Sequence, residues 1–401
     1  MNQFTYYAPT KIVFGPGTEL KTGELCRECG AKRVLIIYGS DRIIRDGLLD
    51  RIIDSLKAEG IESMSVGGVK PNPLLSKACE IVESAKEFDP DFIIGIGGGS
   101  SLDTAKTVGH MLANPDIDIW DFYRGKVKIT KTIPVGAVVT ISAAGSEMSN
   151  NAVLTNDISG GIKISSASDL NRCVWAVMNP ELTYTTPKYQ IASGVADIWL
   201  HTSERYFIDK ESEGNHLTDE IAESVMRNIM KWGPVGFADP YNAEAMSEIM
   251  WTSSISHNSL TGLGAAAKWG REGDWSNHQL GMALGALYNV THGPSMTAIW
   301  NSWALYGYQN NPERFANYAR RVLHISGDND IELAQTAINE MNDWFRGLNL
   351  PVSLTELLKC EITDDMLHQM AYTASYGKTR SFGKLRVLSY EDMYEIYKGA
   401  V

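Results

Sequence analysis

The stretch that most constrains this chain is Asp91–Lys106, DFIIGIGGGSSLDTAK. An apolar run ends in three successive glycines, and a helical pattern opens at Ser100, so the segment reads as strand, tight turn, helix. Without Cβ atoms a backbone can approach an anion closely, and a helix N-terminus offers unpaired N–H donors with partial positive charge. Gly97, Gly98, Gly99 and Ser100 are therefore a candidate pyrophosphate cradle. A tight turn with a serine N-cap would account for one or two of these glycines, but poorly for three. The run is not the G-x-G-x-x-G dinucleotide fingerprint: Gly95 and Gly97 match, Ser100 stands in the third place, and the strand is not the first. Asp103 and Lys106 share a face of the following helix. They can reach the sugar or nicotinamide end of a cofactor, or pair with each other.

Around this turn, short apolar runs alternate with helical patterns. Arg33–Tyr38 (RVLIIY), Ser63–Val69, Asp91–Gly98 and Ile133–Thr140 are expected strands. Helices are expected over Ile43–Leu56, after Pro71-Asn72-Pro73, and from Ser100. Such alternation means βαβ units and a parallel sheet, with ligands outside the carboxyl ends of the strands. Thr140 closes one of those strands, and the hydroxyls and amides of ISAAGSEMSNN after it sit where a second cleft wall would be. Beyond Pro187 the texture changes to helical patterns alone, the last over about 390–398. The expected architecture is an α/β half over residues 1–186 and an all-α half over residues 187–401.

Composition bounds the rest. A chain of 401 residues is long for a single core. A formal charge of −12 argues against nucleic acid. No run of about 18 apolar residues is present, so no membrane span is expected. The opening MNQFTYYAPTKIVFG does not read as a signal peptide. Five cysteines, an odd number, suit a reducing cytoplasm. Cys26 and Cys29 form one CxxC without a second pair, better read as an accident of a helix surface than as zinc or redox chemistry.

The second informative stretch is Gly194–Tyr206, GVADIWLHTSERY. Asp197 and His201 lie four apart, which on a helix brings their Cβ atoms to about 5–6 Å. On a solvated face such a pair makes a hydrogen bond and nothing more. It can also share a divalent cation, with metal–ligand bonds of about 2.0–2.2 Å, provided further ligands arrive from elsewhere. His278 and His292, in SNHQLGMALGALYNVTHGP, are the best candidates. The expectation is a metal held by these four residues facing a nicotinamide cofactor, in a reductase of aldehydes or ketones. His110, His216, His257, His324 and His368 have no partner at useful spacing and are read as ordinary core or surface residues. Trp199 and Trp275, beside the metal motifs, are read mostly as core.

With both motifs in hand, the whole chain resembles the iron-containing (group III) alcohol dehydrogenases, and within them the butanol dehydrogenase and broad-range aldehyde reductase branch. The likeness rests on PTKIVFG (Pro9–Gly15), Pro71-Asn72-Pro73, GGGSSLDTAK (Gly97–Lys106), Gly145-Ser146-Glu147 and NPELTYTTP (Asn179–Pro187). It rests also on Asp-x3-His followed by two histidines fourteen apart. The resemblance implies a Rossmann-like N-terminal domain, a helical C-terminal domain and a deep cleft between them. It implies that Asp197, His201, His278 and His292 ligate iron(II), with zinc or manganese as alternatives. Gly97, Gly98, Gly99 and Ser100 would then cradle the pyrophosphate. Asn72, Asp103, Thr140, Ser149, Asn151 and Lys163 correspond to positions lining the cofactor groove. It also implies a homodimer, through the N-terminal strand. In one place the chain departs from the pattern: the family commonly carries a second histidine four residues after the third ligand, and here that residue is Met282. No catalytic residue is assigned beyond the metal ligands.

Cofactor choice should be read at Tyr38-Gly39-Ser40-Asp41-Arg42. An acid at the end of the first Rossmann-like strand would bind a ribose 2′-hydroxyl and repel a 2′-phosphate. Gly39 holds the place where NAD-preferring relatives often carry Asp, and Ser40 and Arg42 can donate to a phosphate. Asp41 acts the other way. NADP(H) is expected over NAD(H). The expected reaction is reversible hydride transfer between NAD(P)H and short-chain aldehydes or alcohols of the butanol type. The alternatives are an NAD-dependent polyol dehydrogenase of the glycerol or propanediol type and a non-catalytic metal- and nucleotide-binding paralogue.

Overall fold

The computed structural model describes residues 3–159, 161–265 and 272–401. These residues form two compact units, one over Tyr7–Thr186 and one over residues 187–401 together with the N-terminal residues up to Tyr6.

The first unit is built on six parallel strands: β1 (Lys11–Phe14), β2 (Arg33–Tyr38), β3 (Glu62–Val66), β4 (Phe92–Gly97), β5 (Val135–Val139) and, after a hairpin, β8 (Trp175–Met178). Their order across the sheet is β1-β8-β5-β4-β2-β3. The central strands β4 and β5 are apolar along their length and buried on both faces, as parallel strands between helices must be. Register places Tyr38 beside Ile96 and Gly97 beside Val139, so the turns after β2, β4 and β5 all open at one edge. The chain leaves β2 towards β3 on one side and leaves β4 towards β5 on the other. That reversal makes a crevice at the carboxyl edge of β2 and β4, where sheets of this kind take ligands.

The expected strands are all present, but the helix foreseen over 43–56 is two, Arg42–Arg45 and Leu48–Ala58. Gly47, at φ 66°, breaks the run with a left-handed turn. Three strands had no counterpart in the sequence reading. Two of them, β6 (Asn151–Asn156) and β7 (Ile162–Ala167), form an antiparallel hairpin. Its Ala152 and Leu154 pack with Leu75, Trp120, Phe122 and Tyr123 into a small core separate from that of the main sheet. The third, β8, is four residues long and inserts between β1 and β5.

The second unit is helical throughout, and among the described residues its only β contact is an isolated bridge, Phe382–Leu388. Its central helix, Lys188–Tyr206, is buried on every side from Ile191 onward, the mark of a helix at the middle of a bundle. One face carries Trp199, whose ring lies 5.3 Å from Trp300, 5.7 Å from Phe345 and 5.9 Å from Tyr318. The other carries Asp197 and His201. A helix pinned by that much aromatic surface has little freedom to rotate, so its polar face is fixed in direction. The helix over His216–Ala238 runs on through Pro234, which it carries internally. No helix among the described residues is long and apolar enough to cross a membrane.

Candidate metal centre and nucleotide turn

Four elements of the helical unit deliver the polar cluster. Asp197 and His201 come from Lys188–Tyr206, His278 from the first turn of Ser276–Tyr288, and His292 is the first residue of His292–Gly307. The fourth element, Ala243–His257, ends with His257. Close approach of the third helix to the first depends on Gly293: a Cβ there would lie 2.4 Å from the Ser193 carbonyl oxygen. Only glycine lets His292 sit so near the Asp197 helix.

Asp197 Oδ1 is the common point. It lies 3.7 Å from His201 Nδ1, 3.6 Å from His278 Nε2 and 3.8 Å from His292 Nε2. Asp197, His278 and His292 each bring one donor atom to within 4.8 Å of the other two. His201 stands outside that tighter group, although its ring stacks at 4.7 Å on that of His278. Asp197 Oδ1, His201 Nδ1 and His278 Nε2 are all buried without a hydrogen-bond partner. One unsatisfied buried polar atom costs about 1–3 kcal/mol, so three converging on one point need a common occupant. Metal–ligand bonds of about 2.0–2.2 Å separate donor atoms by roughly 3–3.6 Å around a tetrahedral ion. The observed spacings need only a small contraction, and the donor set of one carboxylate with imidazoles suits a first-row divalent ion. The residues fit the group.

The electrostatics are uneven. Burial, reinforced by the neighbouring His257 and His278 rings, holds His201 well below the ordinary imidazole range, so it is a neutral donor. Burial opposes charge on His278 as well, but the carboxylates of Glu204 and Asp197 prevail and push it up to about 9 in the metal-free protein.

Two residues here escaped the sequence reading. Glu204 is fully buried, and its Oε1 accepts from the His278 backbone N–H at 2.9 Å and from its ring Nδ1. The signal was present: Glu204 follows Asp197 by seven and His201 by three, on the same helix face. His257, set aside for lack of a partner in sequence, lies with its ring 4.0 Å from that of His201, and Arg205 meets its Nδ1 at 3.1 Å. That approach is purely tertiary. Met282 is buried one turn beyond His278, with its sulfur 3.9 Å from the Gln279 amide. Trp275 is partly buried, its ring 5.2 Å from that of His278.

In the sheet unit, Gly97 ends β4, Gly98 caps the helix Gly99–Ala113, and Gly99 and Ser100 begin it. Gly97 has φ 147°, and a Cβ there would lie 2.5 Å from Ser101 Oγ, so no other residue fits comfortably. Gly39 follows β2 and Thr140 follows β5 at the same edge. The Ser40 hydroxyl accepts from the Arg42 backbone N–H, and the Arg42 guanidinium donates to Thr185 Oγ1 at 3.0 Å and to the Thr140 carbonyl at 3.4 Å. Arg42, Thr140 and Thr185 line a pocket of about 210 Å³ with Asp46, Asn179 and Leu182.

The remaining expected groove residues belong to one network. Asp103 accepts from the Ser146 hydroxyl at 2.7 Å and from the Val153 N–H at 3.1 Å. Lys106, almost wholly buried, donates to Ser146 and to the Asn151 carbonyl, and lies 3.7 Å from Asp103. Ser149 Oγ accepts from the Asn151 N–H, and Lys163 donates to Asn72 Oδ1 at 2.9 Å. Asp103 and Lys106 thus tie the hairpin and the 145–151 loop to the nucleotide-turn helix, with both Asp103 oxygens engaged inside the protein.

Known proteins share this sequence pattern and fold. The family model for iron-containing alcohol dehydrogenase matches residues 9–180, and the C-terminal model of the same family matches residues 190–401. The NADH-dependent butanol dehydrogenase A of Clostridium acetobutylicum is 35% identical over 99% of both chains. The NADPH-dependent aldehyde reductase YqhD of Escherichia coli is 31% identical over 89% of both. The crystal structure of NADH-dependent butanol dehydrogenase A from Thermotoga maritima matches with a TM-score of 0.92 at 35% identity, covering 100% of this chain and 99% of that one. With two family models together spanning nearly the whole sequence, the chain belongs to the iron-containing alcohol dehydrogenase family, in its butanol dehydrogenase branch, and is an oxidoreductase of alcohols and aldehydes.

Proposed function

We propose that this protein reduces short-chain aldehydes of the butanal type with NADPH, reversibly, using a divalent ion held by Asp197, His201, His278 and His292. Iron(II) is the expected ion, and zinc or manganese can replace it. The observation that carries the reading is the convergence of three unpaired buried donor atoms on one point. The chemistry such an ion supplies when bound is Lewis acidity toward a carbonyl as hydride arrives from the nicotinamide. The chain's own residues do the rest. His201 is kept neutral by its surroundings. Met282 carries no transferable proton, so it supplies none to the alcohol oxygen. Trp275, beside His278, offers an apolar wall suited to an alkyl chain.

Cofactor contacts are assigned to Gly97, Gly98, Gly99 and Ser100 for the pyrophosphate. Gly39, Ser40, Arg42 and Thr140 serve the adenosine end, with Asn72, Asp103, Ser149, Asn151 and Lys163 shaping the groove. The absence of an acid at Gly39, with donors from Ser40 and Arg42, favours a 2′-phosphate. The two relatives differ on this point, one being named for NADH and the other for NADPH. We place the enzyme in the cytoplasm as a homodimer joined at the edge strand β1, where Phe14 is exposed.

The test is a screen of aldehydes with NADPH and NADH after loading with iron(II), zinc or manganese. Butanal-dependent NADPH oxidation that a chelator abolishes and added metal restores is the expected result. Turnover indifferent to chelation sinks the reading.

A further inference from the structure

A fully buried carboxylate is expensive to desolvate and rarely stands in a protein without a task. Glu204 is wholly buried on the helix that carries Asp197 and His201, and it is not itself in the group of candidate ligands. Its Oε1 takes two contacts from His278, the backbone N–H at 2.9 Å and ring Nδ1. The first is a helix cap supplied from outside. His278 lies in the first turn of its helix, where backbone N–H groups lack partners, and Trp275 before that turn gives no side-chain cap. Asp274 serves Ser276 N–H in the same way.

Capping does not account for the second contact. A carboxylate only accepts, so the Nδ1 that meets it carries the proton. The nitrogen left for an ion is then Nε2, the atom 3.6 Å from Asp197 Oδ1 and without a hydrogen-bond partner of its own, which gives up any proton it carries when the ion binds. The opposite tautomer would set a lone pair against a carboxylate on one side and an N–H at the ion's place on the other.

We propose that Glu204 is a positioning residue: its charge holds the Nδ1 proton and the ring direction of His278, so that Nε2 is the nitrogen that turns to an ion when one binds. This rests on the metal-dependent reading above. In metal sites generally, loss of such a supporting partner lowers affinity by about 10–100-fold.

Two measurements decide the matter. Metal affinity is measured by competition with a chromogenic chelator in the parent, Glu204→Gln and Glu204→Asp, using Zn²⁺, with Co²⁺ absorption reporting the geometry. Glutamine keeps a carbonyl oxygen for the cap but not the charge, and aspartate keeps the charge but not the reach. Both are expected to bind Zn²⁺ about 10–100-fold more weakly with an altered Co²⁺ spectrum, while the metal-free melting temperature of Glu204→Gln stays close to the parent's. A pure cap would leave affinity and spectrum where they were. The second measurement uses ¹⁵N-histidine in the Zn²⁺-loaded parent, with His278 assigned by its loss in His278→Asn, and needs no folded Glu204 variant. The proton is expected on Nδ1. A His278 protonated on Nε2, or a Glu204→Gln protein with the parent's affinity and spectrum, overturns the positioning role alone. A parent that binds no divalent ion overturns the metal-dependent reading and this role with it.

Discussion

The turn Gly97–Ser100 and the cluster around Asp197 are built by opposite means. At the turn, the proposed anion site depends on what residues lack: with Cβ atoms absent, a backbone can come close to an anion at the start of a helix. Around Asp197 it depends on which atoms four separate helices bring, and on how closely those helices can pack. The turn is local, contained in a dozen consecutive residues. The cluster spans nearly a hundred residues of sequence and is held by aromatic packing behind Trp199 and by the missing side chain of Gly293. A local site fails through its own backbone; a dispersed one can fail through a contact far from any ligand.

The largest effect should come from removing a donor. His278→Ala takes away the imidazole that Glu204 holds against Asp197. Loss of Lewis-acid stabilisation worth several kcal/mol lowers kcat by at least on the order of 10²–10³. Cofactor binding, measured by nucleotide fluorescence, should be unchanged. A variant that keeps near-parental kcat would break the contrast, because the cluster would then not be the reacting centre.

Gly97→Val is the converse. At φ 147°, with Ser101 Oγ only 2.5 Å from a new Cβ, the side chain strains the turn by about 1–3 kcal/mol and crowds the anion. We expect KM for the nucleotide to rise roughly tenfold or more, following 1.4 kcal/mol per decade, while metal affinity by chelator competition stays at the parental value. Loss of metal affinity would show that the two sites are not independent.

Gly293→Ala tests failure at a distance. The methyl would meet the Ser193 carbonyl oxygen at 2.4 Å, a backbone atom that cannot step aside, so the His292 helix must shift. Overpacking of this sort costs about 1–3 kcal/mol. Metal affinity should fall by several-fold without any donor having been altered, and nucleotide KM should not move. Unaltered affinity would mean that His292 tolerates displacement.

The same contrast explains what the sequence disclosed. Strands β2, β4 and β5 are continuous apolar runs, and the glycine turn lies between two of their periodicities, so the local site was readable residue by residue. The hairpin was harder: Asn151–Asn156 alternates buried and half-buried positions, but its partner IKISSA has no clean alternation, being half-buried along its length and exposed at both ends, and only pairing makes it a strand. Strand β8 is too short for its pattern to stand out from flanking loops. At the dispersed site, Asp197, His201 and Glu204 share a helix face and were in principle legible together. His257 reaches His201 only because two helices pack, and no spacing within the chain announces that.

Asp274 gives a smaller effect beneath the cluster. Burial, with the Glu204 charge second, raises its carboxyl to about 6. The folded state therefore binds a proton that the unfolded state has released above about pH 4. Asp274 contributes stability that is complete below that pH and is lost as pH rises through about 6. In the metal-free protein, the melting-temperature advantage of the parent over Asp274→Asn should shrink between those limits. An advantage that grows over the same range reverses the assignment.

The smallest change is expected at Gly39→Asp, which probes the local site at its far end. A Cβ at residue 39 would meet the Val69 carbonyl oxygen at 2.9 Å and Ser101 Oγ at 3.3 Å, so the loop after β3 must yield slightly before a carboxylate can reach a ribose. The new acid would accept from a 2′-hydroxyl and repel a 2′-phosphate. The ratio of kcat/KM for NADPH to that for NADH should then fall by roughly tenfold, or about 1.4 kcal/mol. A ratio that does not move would show that Ser40 and Arg42 do not read the 2′ position. The parent's ratio matters as much: if it already favours NADH, Gly39 is a packing requirement of Val69 and Ser101 and carries no cofactor preference. Metal affinity should stay constant in either case, because residue 39 acts through the backbone edge of the sheet and the proposed ligands stand on helices that share no residue with it.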